Sequence, residues 1–164
     1  MAGKIHQYLA GDHRRFEALL ARAMADPENI DAFAYAGFRA GLLRHIGMEE
    51  KVLLPAAQKR AGAPLPLAAK LRLDHGALVA LLVPPPTNAI VAAIRAILER
   101  HNPIEEEDEG IYDQAERAAG PDLGEILSQL EKYPDVKVLP HVDNDFVRNA
   151  ARRAVKRAGY DLEV

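Results

Sequence analysis

The chain has 164 residues, which fits one domain, and 49% of them are hydrophobic while 27% are charged. A formal net charge of −3 argues against a protein that binds nucleic acid or a polybasic membrane surface, since both need an excess of Lys and Arg. The absence of Cys excludes disulfide scaffolds, thiol catalysis and cysteine-ligated zinc or iron–sulfur clusters. No apolar run approaches the roughly 18 residues that span a bilayer. The start, MAGKIHQYLAGDH, carries charge too early for the apolar region of a secretory signal, so none is expected. We therefore expect a soluble, cytoplasmic protein.

Helix-forming residues recur at steps of three and four along the chain, which predicts an all-α fold. Segments rich in Pro and Gly end the helices, Asp31 is expected to cap the second helix, and Pro55 is expected to bend it. The predicted helices cover residues 4–25, 31–60, 66–82, 88–118, 123–132 and 144–158. Their short connections predict an up-down-up-down four-helix bundle with additional C-terminal helices.

An internal repeat divides the first part of the chain into two halves. Each half begins with D-H-x4-A-L-L, and each continues in its next helix with H-x3-E-E. The D-H pairs are Asp12–His13 and Asp74–His75, and the H-x3-E-E segments begin at His45 and His101. This repeat predicts a pseudo-two-fold bundle over residues 1–118, in which equivalent side chains meet near the axis. Residues 119–164 are expected to form a helical extension packed on the same domain.

Six side chains of the repeat form a candidate metal site. Residues four apart share one face of a helix, so His45 and Glu49 point the same way, as do His101 and Glu105. Each of the first four helices also presents one His on its apolar stripe. Buried imidazoles and carboxylates are costly without partners, and a bound cation removes that cost. The predicted ligands are His13, His45, Glu49, His75, His101 and Glu105.

The donor types narrow the choice of metal. Imidazole and carboxylate without thiolate favour iron, manganese or zinc. Two carboxylates able to bridge, Glu49 and Glu105, favour two metals close together, one bound by the His of the first half and one by the His of the second. A tetrahedral structural zinc would not need six donors. Two such metals would keep positions open for water, a bridging oxo or hydroxo group, or a small gas.

This spaced set of four His and two Glu resembles the hemerythrin-like family with its HHE cation-binding domain. The resemblance covers about residues 1–118 and implies an up-down four-helix bundle around a non-haem di-iron centre. Members of the family bind or sense oxygen, handle nitric oxide, or take part in iron homeostasis. Ferritin-like di-iron bundles instead carry Glu-x2-His, and no Glu in this chain stands three residues before a His.

The chain departs from the oxygen-carrying hemerythrins at two places. Those proteins have a second His on the third helix, four residues after the first, where this chain has Val79. Their last helix carries His-x4-Asp, whereas this chain offers Glu105 at His-x3 and Glu106 at His-x4, so either Glu is a candidate ligand. A site with one His fewer should be more open to water. Such a site suits sensing, redox chemistry or metal storage at least as well as oxygen transport.

The leading hypothesis is a di-iron protein that binds or senses a small diatomic ligand, either oxygen or nitric oxide. Its cofactor would be two iron ions with a bridging oxo or hydroxo group, and manganese or zinc could take the same donors. One alternative is a di-iron oxidase or nitric-oxide-handling enzyme that uses the same open position. Another is an iron-homeostasis or metal-responsive module whose C-terminal helices contact an unidentified protein partner. No catalytic residue is assigned.

Several side chains near the predicted ligands are weaker candidates. Pro103 removes a backbone hydrogen bond and either re-aims the carboxylates that follow it or simply bends the helix. Glu17 and Glu50 are candidates for additional or supporting ligands, and His6 is a candidate fifth imidazole. Asp12 and Asp74 are expected to orient neighbours or face solvent, and His141 to lie at the surface or cap a helix. Tyr112, three turns after His101, is expected to have a packing role, with reach into the pocket as the alternative.

Overall fold

The computed structural model describes residues 2–164, and over that range all regular secondary structure is helical. The all-α prediction is therefore confirmed. The helices are α1 (Lys4–Ala23), α2 (Ala32–Met48), α3 (Leu54–Ala61), α4 (Ala68–Leu81), α5 (Asn88–Glu106), α6 (Ile111–Ala119), α7 (Leu123–Glu131) and α8 (Asp145–Arg157). A π-helical turn, Glu49–Leu53, joins α2 to α3, and a 3-10 turn, Gly120–Asp122, joins α6 to α7.

The second predicted helix is a continuous rod made of α2, the π turn and α3. Asp31 caps its N-terminus, as predicted, by accepting hydrogen bonds of 3.0 Å from two backbone N–H groups of the first turn. Pro55 has no N–H to donate, and the hydrogen-bond ladder changes just before it, where the Leu54 N–H bonds to the Glu49 carbonyl five residues back. The helix thus responds to Pro55 with a π turn, and this turn carries Glu49 and Glu50.

The prediction of one continuous fourth helix over residues 88–118 is wrong. The structure divides this segment into α5 and α6, which are separated by a tight turn. Glu109 takes a left-handed φ of 67° in this turn. Gly110 follows, and a Cβ there would come within 2.7 Å of the carbonyl oxygens of Glu105 and Glu107, so the turn needs glycine. The break gives α6 a direction that a single helix would not have allowed.

Two apolar clusters make up the core, and α1, α2 and α4 contribute buried residues to both. Along α1, Ile5 and Leu9 belong to one cluster and Phe16 and Leu20 to the other, with His13 between them. The same order holds on α4, where an apolar residue of one cluster precedes the central His and those of the other follow it. The polar residues of the repeat therefore lie inside the protein, in a layer between two apolar clusters.

The C-terminal helices pack on the same core. Ile126 and Leu130 of α7 belong to the cluster that contains Ile5, while Ala151 and Val155 of α8 belong to the other cluster. Helix α8 lies against α4. The division of the chain at residue 118 stays a prediction. Within the range 2–164, no helix is long and apolar enough to cross a membrane.

Candidate metal centre

A layer of buried imidazoles and carboxylates lies between the two apolar clusters. One His comes from each of α1, α2, α4 and α5, and one Glu follows the His of α2 and of α5 by four residues. None of these side chains belongs to a residue more than 7% exposed, and both Glu residues are fully buried. The layer, called the polar layer below, consists of His13, His45, Glu49, His75, His101 and Glu105.

The first half of the polar layer is built around His13 and His45. Their Nε2 atoms lie 3.0 Å apart. Nε2 of His45 is 3.2 Å from Oε1 of Glu49, and Nε2 of His13 is 3.3 Å from Oε2 of Glu105. Four donor atoms, all within 4.8 Å of one another, thus surround a common space.

The second half repeats this arrangement around His75 and His101. Nε2 of His75 is 3.2 Å from Oε2 of Glu49, and Nε2 of His101 is 3.0 Å from Oε1 of Glu105. Each carboxylate therefore turns one oxygen toward each pair of His. The two groups of four donors share both carboxylates, which is a geometry that can bridge two cations.

The Asp of each D-H pair orients the second His of its own half. Oδ2 of Asp12 accepts a hydrogen bond of 3.0 Å from Nδ1 of His45. Oδ2 of Asp74 accepts one of 3.3 Å from Nδ1 of His101. Both Asp residues are buried, so the orienting role expected for them applies, and neither faces solvent. A carboxylate on Nδ1 leaves Nε2 as the atom available to a metal.

The second Glu of each H-x3-E-E segment orients the first His of the opposite half. Oε1 of Glu50 accepts a hydrogen bond of 2.7 Å from Nδ1 of His75. Glu106 is hydrogen-bonded in the same way to Nδ1 of His13. Of the two candidate ligands that follow His101, it is therefore Glu105 that enters the centre, while Glu106 lies on the outer side of an imidazole. All four His thus have a carboxylate on Nδ1, and each of these carboxylates comes from one of the repeated D-H or H-x3-E-E segments.

Buried atoms without hydrogen-bond partners mark the middle of the polar layer. They are Oε2 of Glu49, Nε2 of His75 and Oε1 of Glu105. Nε2 of His75 lies 3.2 Å from the first oxygen and 3.8 Å from the second, yet it forms no hydrogen bond with either. A buried polar atom without a hydrogen bond costs about 1–3 kcal/mol, and the ion-pair contacts of these atoms offset only part of that cost, so a further compensating interaction is needed. A coordinated cation would supply one, and these nitrogen and oxygen donors fit it.

The side chains of the polar layer strongly shift one another's pKa values. Burial would raise the pKa of Glu49, and burial and the charge of Glu49 would raise that of Glu105, but the neighbouring imidazoles hold both below the ordinary value of 4.5. Burial would lower the pKa of the imidazoles, yet the surrounding carboxylates raise that of His75 to about 11 and that of His101 to about 9. Metal ligation needs a free Nε2 lone pair, so a cation at this site would compete with protons for the imidazoles.

Tyr112 combines the packing role that the sequence favoured with the reach into the site that it offered as the alternative. Its ring is fully buried in the core, as a packing role requires, but its hydroxyl reaches the polar layer. Oη lies 2.7 Å from Oε1 of Glu49 and 3.2 Å from Oε2 of Glu105. It is also 3.3 Å from Nε2 of both His13 and His45. Burial and the two carboxylates raise the pKa of Tyr112 well above 10.

The break between α5 and α6 explains how Tyr112 reaches the polar layer. On one continuous helix, Tyr112 would lie three turns beyond His101, too far along the axis to return to the same layer. The turn at Gly110 instead brings α6 back against α1, and α6 also packs on α3. The sequence D-E-G at positions 108–110 was the signal that could have indicated this turn.

The other weaker candidates lie outside the polar layer. Nδ1 of His6 lies 3.1 Å from Asp113, and exposed His141 is bonded to a backbone carbonyl. Val79, where oxygen carriers have a second His, is 38% exposed. Glu17 lines a groove beside α1. The re-aiming effect expected of Pro103, which lies inside α5, stays a prediction.

The polar layer is thus a candidate metal centre made of two groups of buried His and Glu, each offering four ligand atoms. The groups arise from two copies of one sequence pattern, and they share the two Glu that follow His45 and His101. Comparison with models of known protein families, with curated proteins and with solved structures finds no match for this chain.

Proposed function

We propose that this chain is a hemerythrin-like protein whose polar layer binds two iron ions and, through them, a small diatomic ligand, oxygen or nitric oxide. The sharing of Glu49 and Glu105 between the two groups of donors carries the proposal. Each carboxylate has one oxygen at 3.0–3.3 Å from a His nitrogen of either half. A single structural ion, with four ligands of its own, would need no shared carboxylates.

The choice of iron is supported by the donor set. Each half offers two imidazoles and carboxylate oxygens, which is the type of ligand set found in non-haem iron sites that keep positions open. When bound, the two irons would supply open coordination positions and a change of redox state. Manganese or zinc could use the same donors, and metal analysis separates these cases.

The protein's own residues would prepare the site before any ligand arrives. The carboxylates on the four Nδ1 atoms hold each imidazole ring with Nε2 directed inward. The apolar clusters on either side restrict the access of water, which strengthens electrostatic interactions within the layer.

We also propose that the four rods form the up-down-up-down bundle that this function needs. The rods would be α1, then α2 continued by α3, then α4, then α5, with the later helices packed around them. Contacts between α1 and α2 and between α4 and α5 support this arrangement, as do the short connections. Such a bundle brings one His from each rod to a common level, as the distances within the polar layer require.

A groove of about 600 Å³ beside the polar layer supports the binding of a small ligand. It lies between α1 and α5, and His13 and Glu106 form part of its wall. His13 belongs to the first half of the centre through its Nε2 atom, and Glu106 is hydrogen-bonded to Nδ1 of His13. The groove is therefore the proposed entrance for a diatomic ligand.

The proposal is tested by loading chelator-treated protein with ferrous iron under anaerobic conditions and then adding oxygen or nitric oxide. We expect two irons per chain and an absorption spectrum that changes with the gas and returns when the gas is removed. His101→Ala should lower the iron content, whereas His6→Ala, which removes a His outside the polar layer, should not. Less than half an equivalent of iron, or a spectrum that does not respond to either gas, would refute the proposal. Repeated turnover of the gas would identify the enzyme alternative instead.

A further inference from the structure

The hydroxyl of Tyr112 lies among the donors of the first half of the centre. The four atoms within 3.3 Å of Oη belong to His13, His45, Glu49 and Glu105. These are the same four residues that form one of the two candidate metal groups. A buried tyrosine that only packs needs one hydrogen-bond partner, and Glu49 at 2.7 Å would satisfy it. The additional three contacts place Oη where a fifth ligand of that group would lie.

The position of this hydroxyl is set by the surrounding core. The ring of Tyr112 has no exposed surface and belongs to the apolar cluster that contains Ile5 and Leu9. It stacks on the His13 ring with 6.0 Å between centroids, and the His6 ring meets it edge-on at 5.7 Å. The side chain therefore cannot turn its hydroxyl away from the centre without disturbing the core.

The second half of the centre lacks this contact. Among residues 2–164, no hydroxyl is hydrogen-bonded to Nε2 of His75 or of His101. The two halves therefore have similar His and Glu side chains, but only the first half has a tyrosine hydroxyl next to its His.

On the basis of the proposed di-iron function, we propose that Tyr112 is a ligand of the metal held by His13 and His45, and that the two metals are therefore inequivalent. Phenolate oxygen is an anionic donor that proteins use for iron, as in the tyrosine-ligated haem of catalase. On coordination, the phenol proton is replaced by the metal and passes to solvent, and the hydrogen bond to Glu49 is given up. The phenolate occupies one position at the first metal that stays open at the second.

Resonance Raman spectroscopy of the iron-loaded, air-oxidised protein tests this inference directly. Excitation within a visible charge-transfer band should enhance the ring vibrations of an iron-bound tyrosinate. The same vibrations should shift in protein grown on ring-deuterated tyrosine, which needs no variant. Mössbauer spectra should show two iron environments of equal area.

Tyr112→Phe provides the matching variant. It should abolish the tyrosinate vibrations and weaken the binding of one iron by about ten-fold or more while the other iron is retained. Tyr35→Phe is the control, because Tyr35 is also fully buried but its hydroxyl has no hydrogen-bond partner and it belongs to the other apolar cluster. This control should leave the spectra and the iron content unchanged.

The outcomes separate this inference from the proposed function. Two irons per chain without tyrosinate vibrations would make Tyr112 a hydrogen-bond donor only, which overturns the inference and leaves the di-iron proposal intact. A Tyr112→Phe protein that keeps the wild-type charge-transfer band would also overturn the inference and leave the di-iron proposal intact. A wild-type chain that takes up no iron would refute both.

Discussion

Replacing Glu105 with Gln perturbs both halves of the centre at once. Gln keeps the shape of the side chain but removes its charge and replaces one oxygen with an amide that donates hydrogen bonds. Oε1 of Glu105 is 3.0 Å from Nε2 of His101, and Oε2 is 3.3 Å from Nε2 of His13. Both pairs of His therefore lose a charged partner, and one pair also loses its oxygen. Glu106→Gln is the matched control. The Glu106 side chain is 31% exposed and is hydrogen-bonded to Nδ1 of His13, on the outer side of the ring.

The two substitutions should differ in magnitude. Loss of an outer partner of a metal-ligating His costs about 10- to 100-fold in metal affinity, and we expect Glu106→Gln to have this effect on one metal. Glu105→Gln would remove the charge and one oxygen of the proposed bridging ligand, and breaking a buried pair costs about 3–5 kcal/mol. One kcal/mol shifts the Tm of a chain of this size by about 2–4 °C. Chelator-treated Glu105→Gln should therefore melt roughly 6–20 °C below the wild type.

Competition with a chelator of known affinity measures the metal affinity. Scanning calorimetry of the chelator-treated proteins measures the Tm. The expected order of metal affinity is wild type, then Glu106→Gln, then Glu105→Gln. Two metals bound to Glu105→Gln at wild-type affinity would refute the bridging role of this carboxylate. A larger loss in Glu106→Gln than in Glu105→Gln would make Glu106 the ligand and the present geometry of the centre wrong.

Two further predictions concern pH and packing. In chelator-treated protein the carboxylates raise the pKa of His75 to about 11 and of His101 to about 9, so the stability from these pairs is complete below about pH 6.5 and is lost as the pH rises through 9 to 11. Urea unfolding near neutral pH and again near the pKa of His75 should show this loss, and equal stabilities would contradict it. Gly41→Ala should destabilise the fold by about 1–3 kcal/mol, because a Cβ would lie 2.7 Å from the Phe16 ring. Gly76→Ala, on a helix with open space around it, should instead stabilise by about 0.5–1 kcal/mol, and urea unfolding that gave both variants the same sign would be inconsistent with this packing.

The helices and the convergence of six side chains could be predicted from the sequence because both depend on local spacing. Positions four apart share a helix face whatever the tertiary structure, so His45 with Glu49 and His101 with Glu105 follow from the chain alone. The Asp31 cap is local in the same sense. The duplication of the pattern then indicated that two such faces meet.

The outer carboxylates could not be assigned in this way. The bond between Glu106 and His13 joins residues 93 positions apart, and that between Glu50 and His75 joins residues 25 apart. Each pairing crosses from one half of the repeat to the other, and helix periodicity contains no information about which partner a side chain meets across the bundle. For this reason the sequence left Glu50 as an additional or supporting ligand and Glu106 as an alternative to Glu105.

The structure shows both roles that the sequence left open for Tyr112, packing in the core and reach into the polar layer. The sequence predicted one helix over residues 88–118, although no apolar residue lies between Ile104 and Ile111. The turn is imposed by the left-handed φ of Glu109 and the crowded backbone at Gly110, which are tertiary features with a weak local signal. The error in this helix boundary concealed the path by which Tyr112 reaches the layer.

The most direct test of the account is anomalous diffraction from crystals of the iron-loaded protein, recorded on both sides of the iron absorption edge. The account predicts two iron peaks within the polar layer, less than about 4 Å apart, each bonded to one pair of His and both bonded to Glu49 and Glu105. A single peak, peaks elsewhere in the molecule, or no peak with the His and Glu bonded only to one another would contradict it.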